Sequence, residues 1–584
     1  MPSSFIDRDK VVKLLIRERC KLADKQFKQS QKNEFISRLY IPNKEKRNKY
    51  LTNELYQLFP PRRMWCHIGK CRKTLDTVSR NQQRLEHTYI KAKRRHCTEQ
   101  WYKNLCEYAD SIVDMADTSK TKVIPKPKVS VIEKKRPKGE NYIECRPVCS
   151  FHLKLKIVLS LLNKYLTKLF DPYFLNCSYA FRVPKKGQEM MQHLNAVKDI
   201  VAYRKKHIGE ILYVAECDMQ KFYDTINHNL IKTRFIILLN KAKRDGNIVS
   251  EDYKAVKQWF FMYIDCFDFL SCVNVYNKVE YSNPFWKNIK NKGDKKCIIK
   301  WVDGKELNKA RAKRNKGKVG VPQGGALSGL IANIVMNDVD KAVVKAIDDE
   351  DILFCRFCDD MILIGNTMNR VKDVLAQYKT AIKKSKLIAH PHKPEVKEGE
   401  GMKSFWKGKT RGPYAWAEKG GKIYPWITFV GFDVNWKGNL RIRKHSFKRQ
   451  IEKQNKVANA LIYPYQKGKQ PRYCFGTIKA SLKSRLIGMS VGRISLWNYN
   501  NNPNIRSWMS AFSILDENPW SAKQLKALDK HRAVVIARAS LVLARIKCTN
   551  KKKEDNLREN QRNRFTYTGA PFSYYGQCFK YKNK

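Results

Sequence analysis

The chain has 584 residues, with 117 Lys and Arg against 54 Asp and Glu, a formal charge of +63. Its 42 % hydrophobic and 11 % aromatic content is enough for packed cores and excludes wholesale disorder. Apolar runs such as 235–239 and 534–546 fall short of the roughly 18 residues a membrane span needs, or are broken by Arg. So large a surplus calls for an anionic partner. Because it is spread along the chain rather than gathered on one amphipathic helix, nucleic acid is favoured over lipid.

The first residues lack an apolar secretory core, and the 17 Cys are scattered without regular spacing, which reads as reduced thiols in a cytoplasmic protein. Cys66, His67, Cys71, His96, Cys97 and Cys106 contain no C-x-x-C pair and are not read as a zinc site. The C-x-x-C at Cys355 and Cys358 stands alone in a strand-like run. Residues 1–120 are expected to form a basic helical extension, with helical apolar spacing from Asp9 to about Leu39. The Lys/Pro stretch Lys120–Lys128 reads as a linker or entry strand. From there to about Val434, β-rich runs alternate with helical ones, the pattern of an α/β or α+β core. Within it, 288–318 is dense in Lys and Gly and is expected to be an exposed insertion. After about Arg441 the pattern turns helical. Ser521-x-x-Gln524 has the form of a capping box opening a run through Leu525, Leu528, Val535, Ile536, Leu541 and Ile546. The tail from Lys551 is charged and then Tyr-rich.

Acidic residues are scarce here, so those ending apolar strands are informative. The run Ile211–Cys217 ends at Asp218, and two apolar strands flank Cys358-Asp359-Asp360. Adjacent carboxylates repel and are costly to desolvate unless a cation neutralises them. Asp also favours ordinary turns. An aspartate ending another strand, paired with this turn, would give a hard oxygen site suited to Mg²⁺ or Mn²⁺. Between the two lies Val321-Pro322-Gln323-Gly324-Gly325, a turn that allows close backbone approach, followed by a helical run from Leu330 to Val339.

In this order, Asp218…Phe222-Tyr223-Asp224, Pro322-Gln323-Gly324 and Phe357-Cys358-Asp359-Asp360 resemble the palm of a reverse transcriptase. The likeness is closest to the bacterial group II intron-like lineage. It implies an α+β right-hand polymerase: fingers and palm over 121–435, a helical thumb over 436–548, the N-terminal helical extension, and a basic Tyr-rich tail over 549–584. By the same resemblance, Asp218, Asp359 and Asp360, with the backbone carbonyl of Met219, would hold two Mg²⁺ ions, and Asp224 would be structural. Arg146, Phe222, Tyr223, Gln323, Gly324 and Lys393 would bind the incoming nucleotide, Tyr223 as the gate against a 2′-hydroxyl. Ser178-Tyr179-Ala180-Phe181-Arg182 resembles the family's Ser-Tyr-Gly-Phe-Arg stretch. Arg182 and Phe357, with Gly431, Arg441 and Arg443 of a primer-grip-like hairpin, would contact template and primer.

Two departures stand out: Phe357-Cys358 where Tyr-Ala is commoner, and Ser328-Gly329 where Ser-Pro is usual. The expected function is RNA-directed DNA synthesis from dNTPs, copying a structured noncoding RNA into cDNA in bacterial antiphage defence. A homo-oligomer is left open, and no membrane partner is expected. Alternatives are an RNA-binding splicing factor of the maturase kind and a template-independent terminal transferase. Priming from Tyr567, Tyr574 or Tyr575 in the tail is a further alternative, against base stacking by those rings.

Overall fold

The computed structural model describes residues 4–36, 53–68, 77–137, 139–183, 193–278, 283–286, 288–289, 295–301, 317–348, 351–395, 402–418, 423–466, 475–491, 514–515 and 518–545. The tail tyrosines Tyr567, Tyr574 and Tyr575 lie outside them, as does most of 302–318. The chain divides into two compact units, one of residues 1–11 and 109–430, the other of residues 12–108 and 431–584.

Helices α1 (Arg8–Ile36), α2 (Thr77–Arg94) and α3 (Gln100–Ala116) lie in the N-terminal segment. In the first unit, β1 (Lys128–Lys135) pairs antiparallel with β2 (Tyr142–Ser150). Helix α4 (Leu153–Phe170) follows, with Leu155, Val158, Leu162 and Leu166 buried at helical spacing. Next come α5 (His193–Lys206), β3 (Leu212–Cys217), α6 (His228–Arg244) and α7 (Ser250–Asp265). Asn227 opens α6 by accepting from the Leu230 N–H at 3.2 Å.

The segment expected to be a loose insertion instead contains β4 (Lys296–Ile298), which pairs parallel with β2 in the register Tyr142↔Lys296, Ile143↔Cys297 and Glu144↔Ile298. Alternation explains why composition hid it. Cys297 and Ile299 are buried, whereas Lys296 and Lys300 are exposed, so half of a short strand reads as solvent-facing lysine.

Helix α8 (Ser328–Ile347) follows the Pro-Gln-Gly loop. Then β5 (Ile352–Phe357) and β6 (Asp360–Gly365) form the acidic hairpin, and α9 (Met368–Lys384) packs against it. The larger sheet runs β5-β6-β3-β8-β7, with β7 at His392–Lys393 and β8 at Thr410–Trp416; β9 (Ile423–Tyr424) joins β8, and β10 (Trp426–Phe429) closes this unit's strands. Near-continuous burial along β6 (Met361, Ile362, Leu363, Ile364) fits a central strand.

In the second unit, β11 (Phe432–Asn435) and β12 (Leu440–Ile442) make an antiparallel hairpin. Helices α10 (Lys444–Gln466), α11 (Phe475–Val491) and α12 (Pro519–Ala544) bury Leu461, Ile478, Leu482, Val535 and Leu543 together. The cap of α12 differs from the sequence reading. Asn518, followed by Pro519, accepts from the Ser521 N–H at 2.9 Å, and Ser521 is inside the helix. Gln524 instead clasps the Ile442 backbone, accepting from its N–H and donating to its C=O, each at 2.8 Å.

Candidate active site

Antiparallel pairing of β3 with β6 sets Cys217 opposite Met361. Asp218 directly follows β3, and Asp360 opens β6 with Asp359 at the turn before it. The turn is held from beneath. The Arg356 guanidinium, fully buried, donates to both oxygens of Asp340 at 2.7 and 2.6 Å, to Ser178 Oγ at 2.7 Å and to the Cys358 carbonyl at 2.8 Å. Cys358 has φ +64°, a left-handed conformation costly for a residue with a Cβ. The Arg356 bond to its carbonyl stabilises that turn and so fixes where Asp359 points. Ser178 belongs to the Ser-Tyr-Ala-Phe-Arg stretch, so that motif buttresses the acidic hairpin.

Asp218 and Asp359 line a cleft of about 890 Å³ together with Arg146, Lys221, Tyr223, Gln323, Gly324, Lys300 and Lys409. The Lys409 ammonium donates to Asp218 Oδ2, and His390 Nε2 lies 3.8 Å from the same oxygen. Burial, then the charge of Asp218, raises the Asp359 carboxyl above its usual range. Enclosure by protein, then the charges of Asp218 and Asp359, push Asp360 up to about 7; its side chain keeps an exposed surface, where water weakens the effect. Among the described residues, no three His, Cys, Asp or Glu side chains gather into a ready-made metal cage. The donor set still fits a hard divalent cation. Mg²⁺ is commonly held by one or two carboxylates plus substrate phosphates, and carboxylates that raise one another's pKa are relieved by such a charge.

The Pro-Gln-Gly loop is strapped to the segment after Asp218: Gly320 and Val321 N–H donate to the Ile226 and Tyr223 carbonyls at 2.8 Å each. Its other side meets β2, the Cys149 N–H donating to the Gln323 carbonyl at 2.7 Å. Gly324 sits at φ +93° with a would-be Cβ 3.1 Å from the Cys149 carbonyl, so glycine is needed there. The Gln323 amide donates to buried Asp224, whose carboxyl burial pushes up to about 6. The Tyr223 hydroxyl lies 2.8 Å from Cys358 Sγ, and Phe222 is buried edge-on to the Tyr223 ring.

Several expected contacts are arranged differently. Arg182 lines the cleft, but its guanidinium is buried and bonded to Asp171 at 2.7 Å and to the Leu175, Ser178 and Phe174 carbonyls. It braces the wall rather than reaching toward a duplex. Lys393 is outside the cleft lining and donates to Ser404 Oγ at 2.7 Å. Lys409 enters instead because it precedes β8, which pairs with β3; Arg411 and Glu216, next along that pair, form an ion pair at 2.6 Å. Met219 is buried, and its backbone bridges Ala389. Phe357 packs edge-on against His193. Gly431, Arg441 and Arg443 belong to the second unit, where Arg441 pairs with Asp433 at 2.9 Å and the Arg443 N–H donates to the Gly431 carbonyl at 3.1 Å. Arg356 and Lys409 were missed from sequence. Arg356 lies within the hairpin motif, where an Arg in an apolar strand is itself a signal; Lys409 lies among many lysines and carries none. The Gly329 departure has a packing reason: a Cβ there would stand 2.6 Å from the Phe181 ring.

A mixed α+β sheet thus brings carboxylates together in a basic cleft. The reverse transcriptase (RNA-dependent DNA polymerase) family model matches residues 239–415, which include Gln323 and the acidic hairpin, so this domain is that of an RNA-directed DNA polymerase. No curated protein sequence matches the chain. Among solved structures it is similar to apo telomerase from Candida tropicalis truncated from its C-terminal domain, at 18 % identity and TM-score 0.30, covering 55 % of this chain and 56 % of that one. Telomerase from Candida albicans in complex with a fragment of telomeric RNA matches at 13 % identity and TM-score 0.32, covering 88 % of this chain and 78 % of that one. The chain thus spans little more than half the length of the first of these. Among the described residues, no helix is long and apolar enough to cross a membrane.

Proposed function

We propose that the whole protein copies an RNA template into DNA, with Asp218, Asp359 and Asp360 as the metal-binding carboxylates. The observation that carries this reading is the convergence of Asp218 and Asp359 in one basic cleft beside the Pro-Gln-Gly loop. Divalent metal bound there would supply charge stabilisation for the attacking 3′-hydroxyl and the leaving pyrophosphate. The chain's own groups do the remaining work. Arg146 and Lys221 attract the triphosphate, Tyr223 bounds the sugar position and disfavours a 2′-hydroxyl, and the strapped loop offers Gly324 backbone to the nucleotide. Lys409 offsets the charge of Asp218 before substrate arrives. Arg182 supports the wall that template and primer run along.

The charge of +63 exceeds what about 6–10 phosphate contacts require, which supports a dedicated structured RNA as a further partner. The resemblance to the bacterial defence-associated lineage supports a setting in antiphage defence. The test is to sequence RNA and DNA that copurify with the wild type and with an Asp359→Ala/Asp360→Ala variant. DNA complementary to a copurified RNA is expected from the wild type alone. The same DNA from both would overturn the reading.

A further inference from the structure

We propose that His228 is a positioning residue that locks the Pro-Gln-Gly loop to the segment carrying Tyr223, and so fixes how loop and tyrosine sit relative to each other when a nucleotide binds; this rests on the polymerase reading above. His228 is the first residue of α6, where a backbone N–H has no partner within the helix. That N–H donates to the Lys318 carbonyl at 3.2 Å, and the ring Nε2 lies 2.7 Å from the Gly320 carbonyl. A carbonyl only accepts, so Nε2 is the protonated nitrogen and donates. Burial disfavours the charged ring, which leaves Nδ1 bare. Among the described residues Nδ1 is buried without a hydrogen-bond partner. An apolar side chain in the same space would not carry that cost, so the ring is retained for what Nε2 holds.

What Nε2 holds is one end of the Gly320–Val321 peptide. At its other end the Val321 N–H donates to the Tyr223 carbonyl at 2.8 Å. Gly320 is buried at φ +88°, where a Cβ would stand 2.8 Å from the Asp224 carbonyl, so it has no side chain of its own to fix it. Glycine has the widest backbone freedom, and a peptide beside it turns easily unless both ends are held. The residue before is already secured, the Val319 N–H donating to Asp268 Oδ1 at 3.1 Å and its carbonyl accepting from the Phe269 N–H at 2.9 Å. His228 removes the remaining freedom. With the Gly320 carbonyl pinned, the Val321 N–H stays on Tyr223, and Gln323 just beyond keeps its amide on Asp224. Loop and tyrosine are then preorganised as one body before a nucleotide arrives. His228 is not among the residues lining the cleft, so it acts only through Gly320.

The test uses the full chain on poly(rA) primed with oligo(dT), comparing wild type with His228→Leu, which removes the donor, and His228→Gln, whose amide can reach the same carbonyl. His228→Leu is expected to raise the KM for dTTP about tenfold, as for loss of one well-made hydrogen bond, with kcat within about twofold. Its preference for dTTP over UTP in competition should fall with it, a ratio that does not depend on how much of the preparation is folded. His228→Gln should recover most of both. Where His228→Leu does not fold, His228→Asn, too short to reach Gly320, takes its place against His228→Gln with the same expectations. An unchanged dTTP KM or an unchanged preference in the chain lacking the donor overturns the inference while leaving the polymerase reading intact, as does a His228→Gln chain equally impaired. A wild type that extends no primer overturns both.

Discussion

If Arg356 sets the conformation of the acidic hairpin, stability and catalysis should separate when it is removed in two different ways. The Arg356–Asp340 pair has both side chains about 1 % exposed. Asp340→Asn leaves the guanidinium buried without its counter-charge, which for such pairs costs about 3–5 kcal/mol. For a unit of this size that lowers Tm by roughly 10 °C. The double variant Arg356→Met/Asp340→Leu replaces both charges with apolar groups of similar volume, and such swaps are commonly neutral or stabilising. Its Tm is therefore expected to recover much of that loss but not all of it, because Ser178 Oγ and the Cys358 carbonyl lose their donor. Its rate of DNA synthesis is not, because the bond from Arg356 to the Cys358 carbonyl is lost with the charge, and Cys358 then relaxes from its positive φ. A misplaced Asp359 is expected to cost about 10²-fold in kcat, as for a displacement of about 1 Å at a reacting group. Tm by calorimetry and single-nucleotide incorporation on one preparation measure both. A stable double variant with wild-type kcat would refute the positioning role.

Other expectations follow from the same geometry. The Asp224 carboxyl titrates near 6 in the fold against 3.8 in a free chain, so the folded state holds its proton more tightly. Stability is therefore lost as pH rises from about 4 through about 6, by at most about 3 kcal/mol, and Asp224→Asn should be correspondingly less sensitive to pH in thermal melts between pH 5 and 8. An equal pH response would contradict this. Gly329→Ala requires the half-exposed Phe181 ring to shift, so Phe181→Ala should make the same substitution more favourable in denaturant titrations, and an equal effect of Gly329→Ala in both backgrounds would contradict this. Tyr223→Val should raise the incorporation of ribonucleotides relative to deoxynucleotides; an unchanged ratio in competition assays would remove Tyr223 as the sugar gate. Removing the Lys409 ammonium with Lys409→Met should raise the Mg²⁺ concentration dependence of folding stability, because Asp218 and Asp359 then repel without a partner; a melt equally insensitive to Mg²⁺ in both chains would count against it.

What was readable from sequence follows from which interactions are local. Strand alternation, the Pro-Gln-Gly turn and the paired aspartates announce themselves within a few residues, so β3, the β5–β6 hairpin and α8 were expected where they occur. Lys409 became part of the site only because β8 pairs with β3, and a long-range pairing leaves no mark on the lysine itself. The role of Arg356 is not local, since its partners Asp340 and Ser178 lie 16 and 178 residues away. Strand β4 was hidden by composition, since it has only three residues and exposed lysines at Lys296 and Lys300 surround its buried Cys297. Ser521 matched a capping pattern, yet Asn518-Pro519 offered a stronger start three residues earlier.

The most direct test of the account is extension of a DNA primer on a defined RNA template with Mg²⁺ and dNTPs, by the wild type and by Asp359→Ala/Asp360→Ala. The account predicts alkali-resistant product, complementary to the template, from the wild type, and a loss of at least about 10³-fold in the variant, as removal of the charges that stabilise the transition state requires. Equal product from both chains, or product whose sequence ignores the template, would contradict it.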